Sequence, residues 1–300
     1  MDSLVLDSGA RATELPAAPE ADRGWLARLR RLARNRLSLA GLLIIALYAA
    51  GALLAPWISP YPPLATDDAA TLRPPGAAHL LGTDQFGRDI LARVLHAARL
   101  DLFIALSAVG AALALGIVLG SLAGYLGGWV DTLVMRATDA LMAFPLFVLA
   151  MGIVAALGNS VANIIYATAV INTPFYCRML RAEMRVKRQQ EFVDAARCSG
   201  NSTLRIIAYH LLPNCASPLV VQVTLNLGWA ILNAAGLSFI GLGVRPPDAE
   251  WGIMVSEGAR FMVSGEWWVA FFPGLALMLA VLGFNLLGDG LRDLLDPRRA

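Results

Sequence analysis

Lysine occurs once in 300 residues, at Lys187, and every other basic side chain is arginine. A Walker A loop needs a lysine directly after its glycines. Lys187 lies in Arg185-Val186-Lys187-Arg188 with no glycine before it, so the chain carries no phosphate-binding loop of its own. Cysteine is almost as scarce: Cys177, Cys198 and Cys215 have no CxxC spacing, and the three histidines are scattered. That pattern excludes a disulfide framework and a cysteine–histidine metal site, so no cofactor is expected on the chain. Charge is also thin. Charged residues make up 15% and hydrophobic residues 57%, against about 25% charged in a typical soluble domain. With a mean hydropathy of +0.61, the composition is that of a membrane protein, and helix-length apolar runs make the expected class all-α. A net charge of +2 gives no reason to expect nucleic acid as a partner.

What is present is a series of long apolar runs. A bilayer core about 30 Å thick takes roughly 20 apolar residues of helix. Runs meeting that need cover residues 39–57, 102–125, 136–157, 161–177, 216–235 and 268–287, which predicts six transmembrane helices. The fourth is short and holds Asn163, Asn172 and Pro174, but residues 140–177 are too long for one span, and Gly158-Asn159-Ser160 is a natural place to turn. Arginine bias sets the orientation. Arg23, Arg28, Arg30, Arg31, Arg34 and Arg36 precede the first span, seven basic residues from Arg178 to Arg205 follow the fourth, and Arg292, Arg298 and Arg299 follow the sixth. With an even number of spans all three clusters fall on one side, so both termini are expected in the cytoplasm. Arg73, Arg88, Arg93 and Arg99 fall on the other side, and the rule holds by excess only. The first run reads as a retained anchor, because a long polar section precedes it and no small-x-small cleavage site follows.

The chain therefore divides into a tail at 1–22, rich in Ala, Pro and acids and expected to be disordered. An N-terminal section at 23–96 contains the first span. A five-span core covers 97–290, and a short tail 291–300.

Within the core, residues 191–213 break the apolar pattern. Phe192, Val193, Ala195 and Ala196 lie on a short helix among Glu191, Asp194 and Arg197. Gly200 stops it, as glycine just past a helix end commonly does. Asn201 or Ser202 then caps a second helix, and Pro213 ends that one. Two angled helices make a compact knob, with Ala195 and Ala196 small enough for close approach and the charges fixing register. An ordinary amphipathic loop on the membrane surface is the plainer alternative.

The segment resembles the coupling loop of ABC importer permeases, whose form is Glu-Ala-Ala, three residues, Gly, nine residues, Ile, one residue, Leu-Pro. The chain matches at Ala195, Ala196, Gly200, Leu212 and Pro213, and departs at Asp194 and His210. Three further stretches resemble the dipeptide/oligopeptide/nickel group, in its partner with the longer N-terminal section. They are His79-Leu80-Leu81-Gly82-Thr83-Asp84-Gln85-Phe86-Gly87-Arg88-Asp89; then Asp131 to Pro145, with Arg136, Asp139 and Ala143-Phe144-Pro145; and Gly236 to Pro247, continuing through Trp251-Gly252 to Asn285-Leu286-Leu287-Gly288-Asp289-Gly290-Leu291-Arg292-Asp293. A glutamate common in relatives two residues before the position of Gly236 is Ala234 here, beside Asn233. The resemblance implies type I ABC importer permease architecture in a bacterial inner membrane. It implies a second permease subunit, two ABC ATPase subunits that use the ATP, an extracytoplasmic binding protein and surrounding lipid. Glu191, Asp194, Ala195, Ala196, Gly200, His210, Leu212 and Pro213 would couple the chain to an ATPase, in a rigid-body alternating-access cycle that imports dipeptides or oligopeptides. Nickel or a glutathione-like ligand is the alternative cargo.

Other residues have readings of their own. Asp84, Arg88 and Asp89 can pair locally in a folded cap on the second span. Asp139 is costly in lipid unless paired, and Arg136, three residues earlier on the same face, is the expected partner. Pro145 should kink its span. Ala112, Gly116, Gly120 and Gly124 recur every four residues and predict close contact with another helix. Asn226 and Asn233, about two turns apart, can line a polar path or bond between helices. Trp267 and Trp268 are expected as interfacial anchors. An ATP-independent carrier needs coupling groups at the midplane, and the central parts of the six spans lack Asp, Glu, Lys and Arg. A membrane enzyme needs a clustered nucleophile, base or metal set, which the sequence does not offer.

Overall fold

A computed structural model describes residues 35–295. The expected tail at 1–22 and the arginines from Arg23 to Arg34 lie outside the described residues, as do Arg298 and Arg299. Among the described residues the architecture is helical, with one isolated bridge between Thr83 and Asp89.

Helix α1 runs Arg36–Ile58, its first turn closed by the Asn35 side chain, which accepts from the Leu37 amide. A folded segment then leads to α2, Ile90–Leu126, whose 37 residues extend for about 55 Å at 1.5 Å per residue. Asp89 caps it by accepting from the Ala92 amide at 2.7 Å, so the expected cap on the second span is present. It is more heavily built than its sequence implies. Arg88 Nε meets Asp84 at 2.6 Å, and Arg88 and Arg93 both reach Glu257, at 3.4 and 3.6 Å. Two of the four arginines that strain the charge-bias rule, Arg88 and Arg93, are therefore buried in an ion-pair cluster.

The third expected span is not one kinked helix. It is α3, Gly128–Met142, and α4, Leu146–Leu157, set at 89° across the break. Pro145 has no amide hydrogen for a continuing helix, and its ring disfavours helical backbone at Phe144. The chain turns there instead of bending. Helix α5 is Val161–Lys187, capped by Ser160, which accepts from the Asn163 amide at 3.1 Å, and continuous through Pro174. It is longer than the expected fourth span.

Helices α2 and α5 meet along the predicted small-residue stripe. A Cβ added to Gly116 would lie 2.4 Å from Tyr176 Cβ, one at Gly120 2.6 Å from the Cys177 carbonyl, and one at Gly124 2.7 Å from Met184 Cβ. Backbones approach this closely only where no side chain stands between them. The polar Thr168, Asn172 and Thr173 of α5 are buried, with Asn172 and Thr173 bonding back to the Thr168 and Ala169 carbonyls.

Three more helices complete the core: α6, Glu191–Cys198; α7, Ala216–Phe239; and α8, Trp251–Ala259. The last is α9, Trp268–Leu295, which packs along α1 and α7. Four helical segments are long and apolar enough to cross a membrane: Arg36–Ile58, Ile90–Leu126, Pro213–Phe239 and Trp268–Leu295, with the bent α3–α4 pair as a fifth. Helix α5 has the length and is too polar to join them. Of the expected tryptophan anchors only Trp267 is exposed. Trp268 turns inward, its Nε1 donating to the Thr83 carbonyl at 3.2 Å.

Candidate functional site: the α6 knob

Helix α6 is eight residues long and buries one face, Val193 and Ala196, against the chain's own core. Its end is a full Schellman motif. The Gly200 amide donates to the Arg197 carbonyl at 2.9 Å and the Asn201 amide to the Ala196 carbonyl at 3.2 Å. Gly200 has φ of +75° and nothing within 4 Å of a Cβ placed there, so glycine is needed for backbone conformation and not for space. The Asn201 side chain also folds back to the Ala196 carbonyl, at 3.0 Å. It is Ser202 that starts the second helical segment, accepting from the Arg205 amide.

That second segment differs from the expected α-helix. After one turn, Thr203–Arg205, the backbone widens to a π-helical stretch, Ile206–Leu211, in which the Leu212 amide reaches back five residues to Ile207 at 2.9 Å. Pro213 does not end the structure. It opens a short 3-10 turn, Pro213–Cys215, that runs directly into α7. Proline is well tolerated at a first helical position, where its missing donor has no partner anyway. The Asn214 side chain meets the His210 carbonyl at 2.6 Å. The knob is thus continuous with α7.

The predicted residues divide between two faces. Glu191, Asp194, Ala195, Gly200 and Pro213 are exposed, His210 and Leu212 are half-buried, and Ala196 points inward beside Val193. Only one alanine of the pair is free to meet a partner, which corrects the expectation for both. Arg197 pairs with Asp194 at 2.9 Å and lies over the Tyr125 ring, with its carbon 5.7 Å from the centroid. Leu204 and Tyr209 are large, apolar and more than three-quarters exposed. Sequence reasoning missed them: Tyr209 lies in the π-helical stretch, where the 3.6-residue period by which faces are assigned is lost, and Leu204 lies in a single turn too short to show one.

Cross-helix ion pairs brace the knob's support. Arg188 Nη1 donates to the Tyr125 carbonyl at 2.8 Å, tying the end of α5 to the end of α2. Asp131 of α3 takes Arg181 of α5 at 2.6 Å, and Asp139 takes Arg178 at 2.5 Å. Asp139 therefore pairs across helices with Arg178 and not with Arg136. Beside the knob, α5, α7 and α9 enclose a crevice of about 680 Å³ lined by Glu183, Lys187, Gln222 and Arg292 among others. Gln222 Nε2 donates to Asn226 Oδ1 at 2.9 Å, which places Asn226 directly behind the crevice wall. Asn233 is buried further along α7 and bonds back to the Trp229 carbonyl. Ala234 sits in an apolar cluster with Ile104, Ile164 and Leu237.

The family model described as "Binding-protein-dependent transport system inner membrane component" matches residues 116–300. One described as "N-terminal TM domain of oligopeptide transport permease C" matches residues 25–75. The chain is 44% identical over 274 residues to the dipeptide transport system permease protein DppC of Alkalihalophilus pseudofirmus, covering 91% of this chain and 90% of the relative. It is 44% identical over 262 residues to the probable D,D-dipeptide transport system permease protein DdpC of Escherichia coli K12, covering 87% and 88%. It is 43% identical over 275 residues to the glutathione transport system permease protein GsiD of an Escherichia coli O6 strain, covering 91% and 90%. With a family match over more than half its length and relatives aligned along nearly the whole of both chains, this chain belongs to the binding-protein-dependent transport system inner membrane components, multi-pass proteins of the bacterial inner membrane, and is of the permease C type.

Proposed function

We propose that the chain is one of two non-identical permease subunits of an ATP-driven importer for dipeptides and oligopeptides. Six spans place both termini in the cytoplasm, with α3–α4 forming a broken third span and α5 the fourth. Exposed residues of the α6 knob, Glu191, Asp194, Ala195 and Gly200, dock on one of two separate ATPase subunits. A sister permease completes the path, and an extracytoplasmic binding protein delivers cargo. Asn226, behind the crevice wall, and Asn233 belong to the polar lining of that path.

The observation that carries the mechanical part is the two-faced knob, with Val193 and Ala196 anchored inward and a charged face left outward. The cargo reading rests on relatives at 43–44% identity named for dipeptide, D,D-dipeptide and glutathione transport. A glutathione-like ligand, itself a small peptide, is the alternative cargo, and one of these relatives is named for it.

The test begins with gentle extraction of the tagged chain from its host. Recovery of a second permease with an ATPase pair supports the importer. Recovery of the chain alone, still moving peptide in vesicles without ATP, supports a carrier and ends the proposal. In the assembled complex, Ala195→Trp should abolish ATP-driven uptake while leaving membrane insertion unchanged, because its side chain fills only the docking face.

A further inference from the structure

The first turn of α8 is buried, and its free amides are met by two carboxyl groups distant in sequence. Trp251 N donates to Asp101 Oδ2 at 3.1 Å, Gly252 N to Glu250 Oε1 at 2.9 Å, and Ile253 N to Glu250 Oε2 at 2.8 Å. Asp101 is 1% exposed and Glu250 0%. Close packing holds the turn in place. A Cβ on Gly252 would lie 2.2 Å from the Ala235 carbonyl of α7, and the Trp251 indole donates to the Val94 carbonyl of α2 at 3.1 Å.

Three of the four carboxyl oxygens have an amide donor. The fourth, Asp101 Oδ1, is buried with no partner. The two carboxyl groups cap consecutive amides of one buried turn, which sets them side by side. Between two ionised carboxylates that approach is repulsive, and it becomes a bond only when one keeps its proton. Cations do not resolve the conflict. Arg88 and Arg93 are turned to Asp84 and Glu257, and among the described residues no basic group forms an ion pair with Asp101 or Glu250. The positive end of α8 offers about half a charge, enough to favour one carboxylate and not two. Ser238 of α7 is the remaining polar group beside Glu250.

We propose that Asp101 and Glu250 form a proton-binding site at neutral pH, with the proton on Asp101 Oδ1, donated to the Glu250 carboxylate. Glu250 is then the ionised member, its two oxygens taken up by the Gly252 and Ile253 amides, and the shared proton fastens α8 to α2. Burial pushes the Glu250 carboxyl up, opposed by those two amides, which is the environment such a bond requires. The site is independent of the cargo and of the docking partner.

The assignment predicts an asymmetry between two conservative variants. Asparagine at 101 can accept from the Trp251 amide and donate to Glu250, reproducing the protonated acid. Glutamine at 250 sets an NH2 group against an amide that must donate to it. The experiment is infrared spectroscopy of the purified full-length chain in detergent at neutral pH, with thermal melting of wild type, Asp101→Asn and Glu250→Gln. The expected result is a protonated-carboxyl band in the wild-type-minus-D101N difference spectrum, unchanged melting for D101N and lower melting for E250Q. If E250Q does not fold, the band in the difference spectrum decides alone. Absence of that band overturns the proposal. So does a reversal in which D101N melts lower and E250Q melts as wild type, which would place the proton on Glu250.

Discussion

Helix α7 has a short helix beyond each end, and the two are held in opposite ways. At its far end α8 turns its acids inward. Glu250 caps it, Glu257 joins Asp84, Arg88 and Arg93 in a buried cluster, and Trp251 is fully enclosed. At its near end α6 leaves Glu191, Asp194 and Arg197 in solvent and is held by two inward apolar residues and a glycine-closed turn. A buried ion cluster is costly to disrupt and fixes one geometry. A solvated charge adds little stability and remains available for a partner. On that basis α8 is fixed in one geometry, and α6 keeps the docking role proposed for it.

The sharpest way to break the comparison is Arg93→Ala. Arg93 is 1% exposed and serves both Asp84 and Glu257. Its loss leaves two acids sharing Arg88, and removing one partner of a buried pair typically costs about 3–5 kcal/mol. Melting of the purified chain should fall sharply. A variant that melts like the wild type would show that the cluster is not what fixes α8.

Next in size is Gly120→Leu on α2. The first added atom already lies 2.6 Å from the Cys177 carbonyl of α5, and overpacking of this kind costs about 1–3 kcal/mol. Since α5 leads into α6 and Arg188 ties the ends of α5 and α2 together, the seam supports the knob along with the cross-helix ion pairs. G120L should therefore reduce both melting temperature and transport. Gly200→Ala is gentler. It meets no atom within 4 Å but must hold φ near +75°, a left-handed conformation that costs a non-glycine residue about 1–2 kcal/mol. Melting should fall modestly, with the loss confined to the knob as read by faster amide exchange at residues 196–202.

How far the sequence reveals each end follows from the range of the interactions. The α6 turn is legible because its determinants are local: Gly200, Asn201 and Ser202 act within a few residues of the backbone they close. The α2 stripe is legible because a four-residue repeat of small residues has few uses other than close helix contact. The partner of Asp139 is misread because Arg136 stands at helical spacing, while the bond that forms joins α3 to α5. The α8 end is barely legible at all. Asp101 meets Trp251 across 150 residues and Arg88 meets Glu257 across 169, and no periodicity records such a meeting. The π-helical stretch hides Tyr209, since faces assigned at 3.6 residues per turn no longer apply there.

The smallest expected effect on the fold is also the most instructive about function. Asp194→Ala removes the acid that pairs with Arg197 on the exposed face of α6. Both side chains are solvated, Arg197 keeps its place over the Tyr125 ring, and the inward contacts of Val193 and Ala196 are untouched. Exposed pairs of this geometry contribute little to stability, so the melting temperature should not change measurably. If Asp194 sets the register of docking, ATP-driven uptake by the assembled complex should nevertheless fall. Asp194→Glu, which restores the charge on a longer stem, should recover part of it. A fall in uptake without a fall in melting, set beside R93A where the two fall together, would separate the surface that transmits force from the frame that receives it.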